Sequence, residues 1–451
     1  MSSVSAISVS GAQPEGRPWK AAALWLLLLG PFFFASYGLA NYAASVRPQV
    51  GSVVFEWEQR IPFLAWTIVP YWSIDALYAV SLFVCSTRKE LDIHALRLLT
   101  ATVVSVAVFL LFPLRFSFER PATDGVFGAM FGVLMGFDKP FNQAPSLHVS
   151  LLVILWVRYA AHVRGAWRLM LHVWFALIAI SILTTYQHHF IDLPTGLWVG
   201  LLCLWLFPDQ RPAEREIAGS AEPKRYRIGL YYLIPGIALA VAGPAIGGLA
   251  WALLWPAGAL VLVGVVYFAG DASLFRKIDG RMARAASWLL LPYLLGAWIN
   301  SRWWTRKSPA DSVVADGVLL GRAPSCGGGE TMGVKSVVDV AAELPACASL
   351  ARYRAVPMLD LLVPSVRQID AAVVAIESLS QHRPTLVYCA LGYSRSAAAV
   401  AAWLVASGRC STVDAALEFV REKRPQVVIG AAHRTRLSEW FDRGTAVRST
   451  L

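Results

Sequence analysis

One short segment near the C-terminus combines the side chains needed to break a phosphate ester. Cys389 lies six residues before Arg395, between an apolar run and an Ala-rich stretch with a helical pattern. This order predicts a strand, a loop and a helix, with the loop's backbone N–H groups wrapped around a phosphate at the helix N-terminus. The same groups favour a nucleophilic thiolate, and the arginine can hold two phosphate oxygens. The segment therefore predicts phosphomonoester hydrolysis through a cysteinyl-phosphate.

A second set of polar residues interrupts the apolar runs of the N-terminal half. Ser146 and His148 open one apolar run, and His188 and Asp192 open another. Ionisable groups at the ends of membrane spans are costly enough to need a functional reason. In a helix, His188 and Asp192 share one face, so the carboxylate can orient and charge the imidazole. Ser146 and His148 can then supply a phosphate donor and a proton donor.

These residues carry a family resemblance over roughly residues 95–207. Pro145-Ser146-Leu147-His148 and His188-x-x-x-Asp192 resemble the second and third motifs of the type 2 phosphatidic acid phosphatase (PAP2) superfamily. The resemblance implies that His188 attacks phosphorus and that Asp192 supports it. It also implies that His148 protonates the leaving oxygen and that Ser146 binds phosphate.

The loop before the fourth apolar run adds Arg115 and Arg120 as candidate phosphate-binding residues. Two positions differ from the usual PAP2 pattern, with Pro113 in place of a lysine and Ile182 in place of an arginine. The His-His-Phe-Ile-Asp form is closer to the sphingomyelin and inositol-phosphorylceramide synthase branch, which transfers phosphorylated head groups. Three alternatives stay open for this site: hydrolysis of a lipid phosphate, transfer of a head group, and weakened catalysis.

Residues 316–440 resemble a dual-specificity phosphatase of the protein tyrosine phosphatase superfamily, with Cys389 to Arg395 as the signature loop. The resemblance implies that Cys389 attacks phosphorus and that Arg395 binds the equatorial oxygens. Asp360, which follows Val-Pro-Met-Leu, would protonate the leaving oxygen and then activate water. The expected phosphate-binding residues of the loop are Gly392, Ser394 and Ser396, the last also positioned to hydrogen-bond the cysteine sulfur. Tyr388 departs from the family, which usually has histidine before the cysteine.

The composition indicates where these two sites are carried. The 451 residues are 57% hydrophobic and 15% charged, against about 25% charged in ordinary soluble domains. Apolar runs near spanning length predict a polytopic all-α membrane domain of about eight spans, followed by an α/β dual-specificity-phosphatase domain. The predicted spans are 21–43, 61–84, 98–114, 147–162, 169–185, 191–207, 227–243 and 249–269. The predicted organisation is a cytoplasmic segment 1–20, a six-span PAP2-like domain 21–207, additional spans and an interfacial helix 208–304, and a phosphatase domain 308–451.

The charge pattern predicts a multi-pass protein of the cell membrane and its orientation. The net charge is +11, and the Lys and Arg residues cluster in alternate loops between the apolar runs. By the positive-inside rule, this distribution favours a cytoplasmic N-terminus. The segment Ala285 to Trp304 has a dense apolar part of about 12 residues, which fits an interfacial helix better than a span. That interpretation puts the phosphatase domain in the cytoplasm and the PAP2-like site on the outer side, whereas a ninth span would put both outside.

The sequence predicts no metal site and no cofactor. Its six cysteines form no Cys-x-x-Cys pair, the pattern typical of zinc sites. Nucleic-acid binding is not predicted, because the soluble part has no basic patch with interleaved aromatic residues. The expected partners are membrane lipids and phosphorylated lipid head groups or phosphoproteins. The alternatives are therefore a lipid-phosphate phosphatase, a tethered protein tyrosine or serine phosphatase, and a non-catalytic phosphate sensor.

Overall fold

The computed structural model describes residues 16–210, 223–325, 333–346 and 352–449. The chain divides into two compact units, Met1–Asp209 and Gln210–Leu451. Most of the predicted N-terminal segment 1–20 lies outside the described residues, as do Cys326 and Cys347.

The first unit is built mainly from α-helices, and the described part contains seven of them. They are α1 (Trp19–Ser45), α2 (Ile68–Val84), α3 (Arg88–Leu111), α4 (Gly125–Phe137), α5 (Leu147–His162), α6 (Ala166–Thr184) and α7 (Asp192–Leu206). The glycine-rich helix α4 falls in a stretch that the sequence predicted to be a loop, because glycine is a weak helix former. Its apolar character gives it a reason to fold beside other helices rather than in water.

The helical membrane domain is confirmed, with six helices in the described residues that are long and apolar enough to cross a membrane. Four belong to the first unit (α1, α2 with its preceding turn, α3 and α6) and two to the second. The other two predicted spans are helices α5 and α7, but they have only 16 and 15 residues. A perpendicular span needs about 20 residues, so α5 and α7 are shorter than a full span.

Small residues bring α5 and α7 together at their N-terminal ends. A Cβ added at Gly196 would lie 2.5 Å from the carbonyl oxygen of Ser146. The Ser150 hydroxyl donates to the Gly196 carbonyl at 3.0 Å. Close backbone approach through Gly and Ser is how membrane helices gain packing energy without a hydrophobic driving force. It places the start of α5, with Ser146, beside the start of α7, with Asp192.

The second unit begins with two apolar helices and continues into an α/β domain. Helices α8 (Pro223–Ile246) and α9 (Leu254–Ala269) are followed by a short hairpin, β1 (Lys277–Ile278) and β2 (Arg281–Met282). The ambiguous segment Ala285 to Trp304 forms two helices, α10 (Arg284–Leu289) and α11 (Leu291–Thr305). These have 6 and 15 residues, so neither has the length of a span.

The predicted α/β domain is confirmed, and a five-stranded mixed sheet forms its centre. Its strands are β3 (Asp311–Ala315), β4 (Val318–Arg322), β5 (Ser336–Ala341), β6 (Tyr353–Met358) and β7 (Thr385–Cys389), in the order β3-β4-β7-β5-β6. The β3–β4 pair is antiparallel and the other pairs are parallel. Every residue of β5 and β7 is buried, which is why both read as continuous apolar runs. The sequence did not predict β3.

Helices cover the sheet and complete the core. They are α12 (Val366–Ser380), α13 (Arg395–Ala406), α14 (Val413–Lys423) and α15 (Ala431–Ser449). A capping box starts α12, where the Ser365 hydroxyl accepts from the Gln368 N–H at 3.1 Å. The patterns at 366–379 and 415–423 predicted α12 and α14 to within two residues. The central strand β7 runs directly into the loop before α13, so Cys389 lies at the carboxyl end of the sheet and at a helix N-terminus.

Candidate active sites

The loop between β7 and α13 surrounds the sulfur of Cys389. The Gly392 N–H donates to Sγ at 3.2 Å, and the Ser396 hydroxyl donates to Sγ at 3.3 Å. Both donors point at the sulfur, where they can stabilise negative charge during a reaction. Cys389 is 3% exposed, so the sulfur is reached only through the mouth of the loop. The arrangement can hold a nucleophilic thiolate below a tetrahedral phosphate.

Gly392 gives the loop its shape. Its φ is +76°, and a Cβ there would lie 2.4 Å from the carbonyl oxygen of Gly321 on β4. Only glycine adopts this conformation without strain and also fits the space. The buried guanidinium of Arg424 donates to the Gly392 carbonyl at 3.1 Å, which satisfies this oxygen and ties the loop to the segment after α14.

Arg395, the first residue of α13, is held in a fixed orientation. Its Nη1 and Nη2 donate to the two carboxylate oxygens of Glu343 at 2.8 and 2.6 Å. Nη1 also donates to the Met358 carbonyl at 2.8 Å, and Nη2 lies 3.0 Å from Asp360 Oδ1. Although burial by itself lowers the pKa of Arg395, the charges of Asp360 and Glu343 raise it well above its ordinary value. The guanidinium is therefore a permanent, prealigned cation beside the thiolate.

Asp360 follows β6 and closes the same site from the other side. Its side chain is 36% exposed, so a leaving oxygen can reach it. The structure thus brings together Cys389, Arg395 and Asp360, the three residues that the sequence selected for this domain. Ser394, selected as a phosphate-binding residue, hydrogen-bonds His433 on α15 at 3.3 Å, and its binding of phosphate stays a prediction.

The ends of apolar helices contact both loops of this site. The Tyr267 hydroxyl, near the end of α9, donates to the Asp360 carbonyl at 3.2 Å. The Ser301 hydroxyl, on α11, donates to the Ala390 carbonyl in the cysteine loop at 2.5 Å. Since α9 belongs to a segment long and apolar enough to cross a membrane, the loop that carries Asp360 lies at the end of such a helix.

The second candidate site lies where α5 and α7 begin. His188 Nδ1 and Asp192 Oδ2 are 2.9 Å apart, and Ser146 Oγ is 3.4 Å from His188 Nε2. His188 and Asp192 are 5% and 1% exposed. The carboxylate fixes the ring so that Nε2 faces Ser146, the orientation that an attacking imidazole needs. Here too the structure brings together residues that the sequence grouped.

His148, Arg120 and Arg115 differ in how they lie relative to this second site. The His148 ring stacks on Tyr71 with 4.1 Å between centroids, and within the described chain its Nε2 has no hydrogen-bond partner. Arg120 donates to the carbonyls of Thr185 and Tyr186 at 3.0 Å each, so it braces the turn before His188. Arg115 is exposed, and no hydrogen bond among the described residues joins its side chain to the histidines. Its grouping with them stays a prediction.

Family models match the chain at both sites. Residues 94–216 match the PAP2 superfamily, and residues 322–443 match the catalytic domain of dual specificity phosphatases. The chain carries a PAP2 superfamily domain and a dual-specificity phosphatase catalytic domain. Both families are phosphatases, so the protein is a phosphomonoesterase, and its apolar helices make it a multi-pass membrane protein.

Several solved structures are similar to part of the chain. PTPMT1 in complex with PI(5)P is 21% identical, with 31% of this chain and 99% of that one covered, at a TM-score of 0.28. Human DUSP28 is 24% identical, with 30% and 96% covered, at 0.27. A mouse putative dual specificity phosphatase complexed with zinc tungstate is 24% identical, with 31% and 91% covered, at 0.27. No curated protein sequence matches this chain.

Tyr388, which replaces the usual histidine of the phosphatase domain, points into a separate polar cluster. Its hydroxyl donates to Asp339 Oδ2 at 2.7 Å, and Tyr353 donates to the same oxygen at 2.6 Å. Lys277 Nζ donates to it at 2.5 Å. Burial and the Asp339 carboxylate raise the pKa of Tyr388 well above its ordinary value, so the hydroxyl stays protonated. In this chain the position anchors β7 to β5 and to the hairpin after α9.

Two buried carboxylates of the candidate sites were not predicted. Glu343 lies after β5 and clamps Arg395, and Glu58 lies between α1 and α2 and accepts from His189 Nδ1 at 2.9 Å. Burial by itself raises the pKa of Glu58, but hydrogen bonds from His189, Phe55 and Phe190 hold it below its ordinary value. Neither residue belongs to a motif with fixed spacing, so only the folded chain reveals them. Among the described residues, no group of His, Cys, Asp or Glu could hold a metal ion.

We expect Glu343→Ala to lower the free energy of unfolding of the phosphatase domain. Removing one partner of a buried ion pair costs about 3–5 kcal/mol, because the other charge stays buried. Burial raises the pKa of Glu343, yet Arg395 holds it below its ordinary value. The pair therefore stabilises the fold above pH about 4.3, the ordinary glutamate pKa, and loses this effect as pH falls through the lower folded value.

The measurement is thermal unfolding of the full chain in detergent micelles between pH 3 and 8. The exposed Glu422 on α14 offers the matched control, Glu422→Ala, which should leave the unfolding temperature unchanged. Equal unfolding temperatures for Glu343→Ala and wild type at neutral pH would contradict the clamp.

Proposed function

We propose that this protein is a membrane-bound phosphatase that hydrolyses phosphomonoesters of lipid head groups through a cysteinyl-phosphate at Cys389. The proposal is supported first by the loop that surrounds the Cys389 sulfur and by the 3.0 Å approach of Arg395 Nη2 to Asp360 Oδ1, an arrangement that suits a two-step phosphoryl transfer. The PAP2 domain would provide a second lipid-phosphate site, with His188 as nucleophile and His148 as general acid. We also propose the domain limits 21–207 and 308–451 for the two parts.

In the first step, the Cys389 thiolate forms a bond to phosphorus while the bond from phosphorus to the ester oxygen breaks. Asp360, in its protonated form, gives its proton to the departing alkoxide, and the alcohol leaves. In the second step, Asp360 takes a proton from water, whose oxygen attacks phosphorus and releases the Cys389 sulfur. Inorganic phosphate leaves, and Asp360 has regained its proton.

Charge stabilisation accounts for most of the catalysis in such a reaction. Phosphoryl transfer passes through a loose transition state with negative charge on the equatorial oxygens. The loop N–H groups and the guanidinium of Arg395, already aligned by Glu343, meet that charge without reorganisation. Ser396, at 3.3 Å from Sγ, stabilises the sulfur as it leaves in the second step.

The observation that carries the lipid substrate is the contact between the general-acid loop and the end of α9. The Tyr267 side chain bridges α9 and the Asp360 carbonyl. A phosphate ester that reaches Asp360 therefore comes close to the end of a membrane helix. Head groups of lipids occupy this level, and tethering gives them a high local concentration. Helix α11 carries three tryptophans, and all are about half exposed or more: Trp298 46%, Trp303 61% and Trp304 64%. Such side chains suit the interface between lipid and water.

For orientation, we propose that the phosphatase domain faces the cytoplasm. Basic residues flank the start of α8 and follow the end of α9, at Lys224, Arg225, Arg276 and Lys277, as the positive-inside rule requires for cytoplasmic ends. A reducing cytoplasm also keeps Cys389 from being oxidised to a disulfide.

The test is phosphate release by the full-length protein in detergent–lipid micelles. The substrates are phosphatidylglycerol phosphate, phosphatidic acid, an inositol-lipid phosphate and a phosphotyrosine peptide. We expect release from at least one lipid phosphate to exceed release from the peptide, to disappear in Cys389→Ser and to persist in His188→Ala. Loss in His188→Ala with retention in Cys389→Ser would assign the lipid chemistry to the PAP2 domain and overturn the proposal. A preference for the peptide would favour a tethered protein phosphatase.

A further inference from the structure

The backbone of the general-acid loop is strained at the residue after Asp360. Leu361 has a φ of +62°, a left-handed conformation that costs a non-glycine residue roughly 1–2 kcal/mol. Such a conformation persists only where surrounding contacts hold it. The Leu361 side chain is 55% exposed, so its own packing contributes little, and the contacts that hold the turn must involve its neighbours.

Tyr267 supplies one such contact. Its hydroxyl donates to the carbonyl oxygen of Asp360 at 3.2 Å, and this carbonyl belongs to the peptide that joins Asp360 to Leu361. The Tyr267 side chain is 1% exposed and its ring stacks on Tyr232 of α8, with 5.5 Å between centroids. A donor fixed between two apolar helices thus sets the direction of the strained peptide and, with it, the Asp360 side chain.

Helix α11 makes the matching contact with the cysteine loop. The Ser301 hydroxyl donates to the Ala390 carbonyl at 2.5 Å, and Ser301 is 1% exposed. Ala390 follows the nucleophile directly, so its carbonyl must point away from the bound phosphate for the loop N–H groups to point toward it. Among the described residues, no hydrogen bond joins the Ser301 hydroxyl to the Asp360 turn, which makes its effect separable from that of Tyr267.

We propose that Tyr267 and Ser301 are positioning residues of the phosphatase site, so that the apolar helices α9 and α11 form working parts of the catalytic domain. Tyr267 acts through Asp360 and Ser301 acts through the cysteine loop. The inference rests on the proposed function, since it assumes that Asp360 is the general acid and Cys389 the nucleophile.

The two contacts predict different kinetic signatures. A general acid matters most when the leaving group is a poor one, because an acidic phenol departs without help. Tyr267→Phe should therefore slow phenyl phosphate more than 4-nitrophenyl phosphate. Ser301→Ala should slow both to the same extent, because loop N–H groups stabilise the phosphoryl charge whatever the leaving group.

The experiment measures kcat for phenyl phosphate and 4-nitrophenyl phosphate with the full chain in lipid micelles. For Tyr267→Phe we expect a fall of about tenfold with phenyl phosphate and of less than about twofold with the nitrophenyl ester. Asp360→Asn should show the same pattern more strongly. Because Tyr267 acts through Asp360, adding Tyr267→Phe to Asp360→Asn should cause no further loss. Tyr232→Phe, in the same ring stack, should leave the ratio of the two rates unchanged.

Equal slowing of both esters by Tyr267→Phe, no slowing of either, or full additivity with Asp360→Asn would each overturn the inference. The same would follow if Ser301→Ala changed the ratio of the two rates. These results are distinct from failure of the proposed function, which would appear as undiminished release from 4-nitrophenyl phosphate in Cys389→Ser. Thermal unfolding of each variant, measured beside Tyr232→Phe, separates loss of positioning from loss of the fold.

Discussion

Cys389→Ser is expected to lower phosphate release from 4-nitrophenyl phosphate by at least about 10⁴-fold, the scale of loss seen when a covalent nucleophile is removed. A serine hydroxyl at this position would receive the same donors, from Gly392 and Ser396. Those donors stabilise an anion, but an alcohol is far less acidic than a thiol and stays protonated at neutral pH. Phosphate binding should survive, since Arg395 and the loop N–H groups are unchanged.

The measurement is steady-state release together with acid trapping of a radiolabelled phosphoenzyme. Wild type should yield label bound to protein, whereas Cys389→Ser should bind phosphate without covalent label. Cys410→Ser is the matched control, because Cys410 is a free, half-buried cysteine in the loop after α13. Residual release above about one hundredth of wild type in Cys389→Ser would show that another residue, such as His188, carries the reaction.

The cysteine loop could be predicted from the sequence because its chemistry is local. A strand, a loop of fixed length and a helix start bring Cys389, Gly392, Arg395 and Ser396 together within eight consecutive positions. His188 and Asp192, four residues apart, were grouped on the assumption that both lie in one helix. The structure keeps the pair together, with 2.9 Å between Nδ1 and Oδ2, but His188 lies in the turn before α7, which begins at Asp192.

Residues that reach the sites from distant parts of the chain could not be predicted. Glu343 is 52 positions from Arg395, and Tyr267 is 93 positions from Asp360. Each looks ordinary in its own segment, a glutamate after a strand and a tyrosine near the end of a span. Their roles depend on sheet order and helix packing, and a single sequence specifies these only through the fold.

Element boundaries show a similar division. Helix α12 was predicted closely because its sequence contains a capping box and a clear apolar face. Strand β3 was missed because Asp316 and Gly317, which read as the start of one strand, form the left-handed turn between two. Helices α5 and α7 have 16 and 15 residues. The sequence predicted both correctly as helices, because the prediction rested on their apolar content rather than on their length.

Gly392→Ala is expected to reduce kcat/KM by about 100-fold or more, because misplacing catalytic groups by about 1 Å has this effect. The alanine must adopt a φ of +76°, and its Cβ would meet the Gly321 carbonyl oxygen at 2.4 Å. That neighbour is backbone of β4, hydrogen-bonded within the sheet, so the loop must move instead. The N–H that donates to Cys389 Sγ moves with it, and the thiolate loses a donor.

Gly408→Ala separates this clash from the cost of the backbone conformation alone. Gly408 has a φ of +73°, nearly the same as Gly392, but a Cβ there meets nothing within 4 Å. It follows α13, away from Cys389, so the substitution should cost roughly 1–2 kcal/mol of stability and leave kcat/KM unchanged. Both variants are assayed with 4-nitrophenyl phosphate and by thermal unfolding. If they lost activity equally, strain spread through α13 would explain the effect, and the close approach of Gly392 to β4 would not be what shapes the phosphate loop.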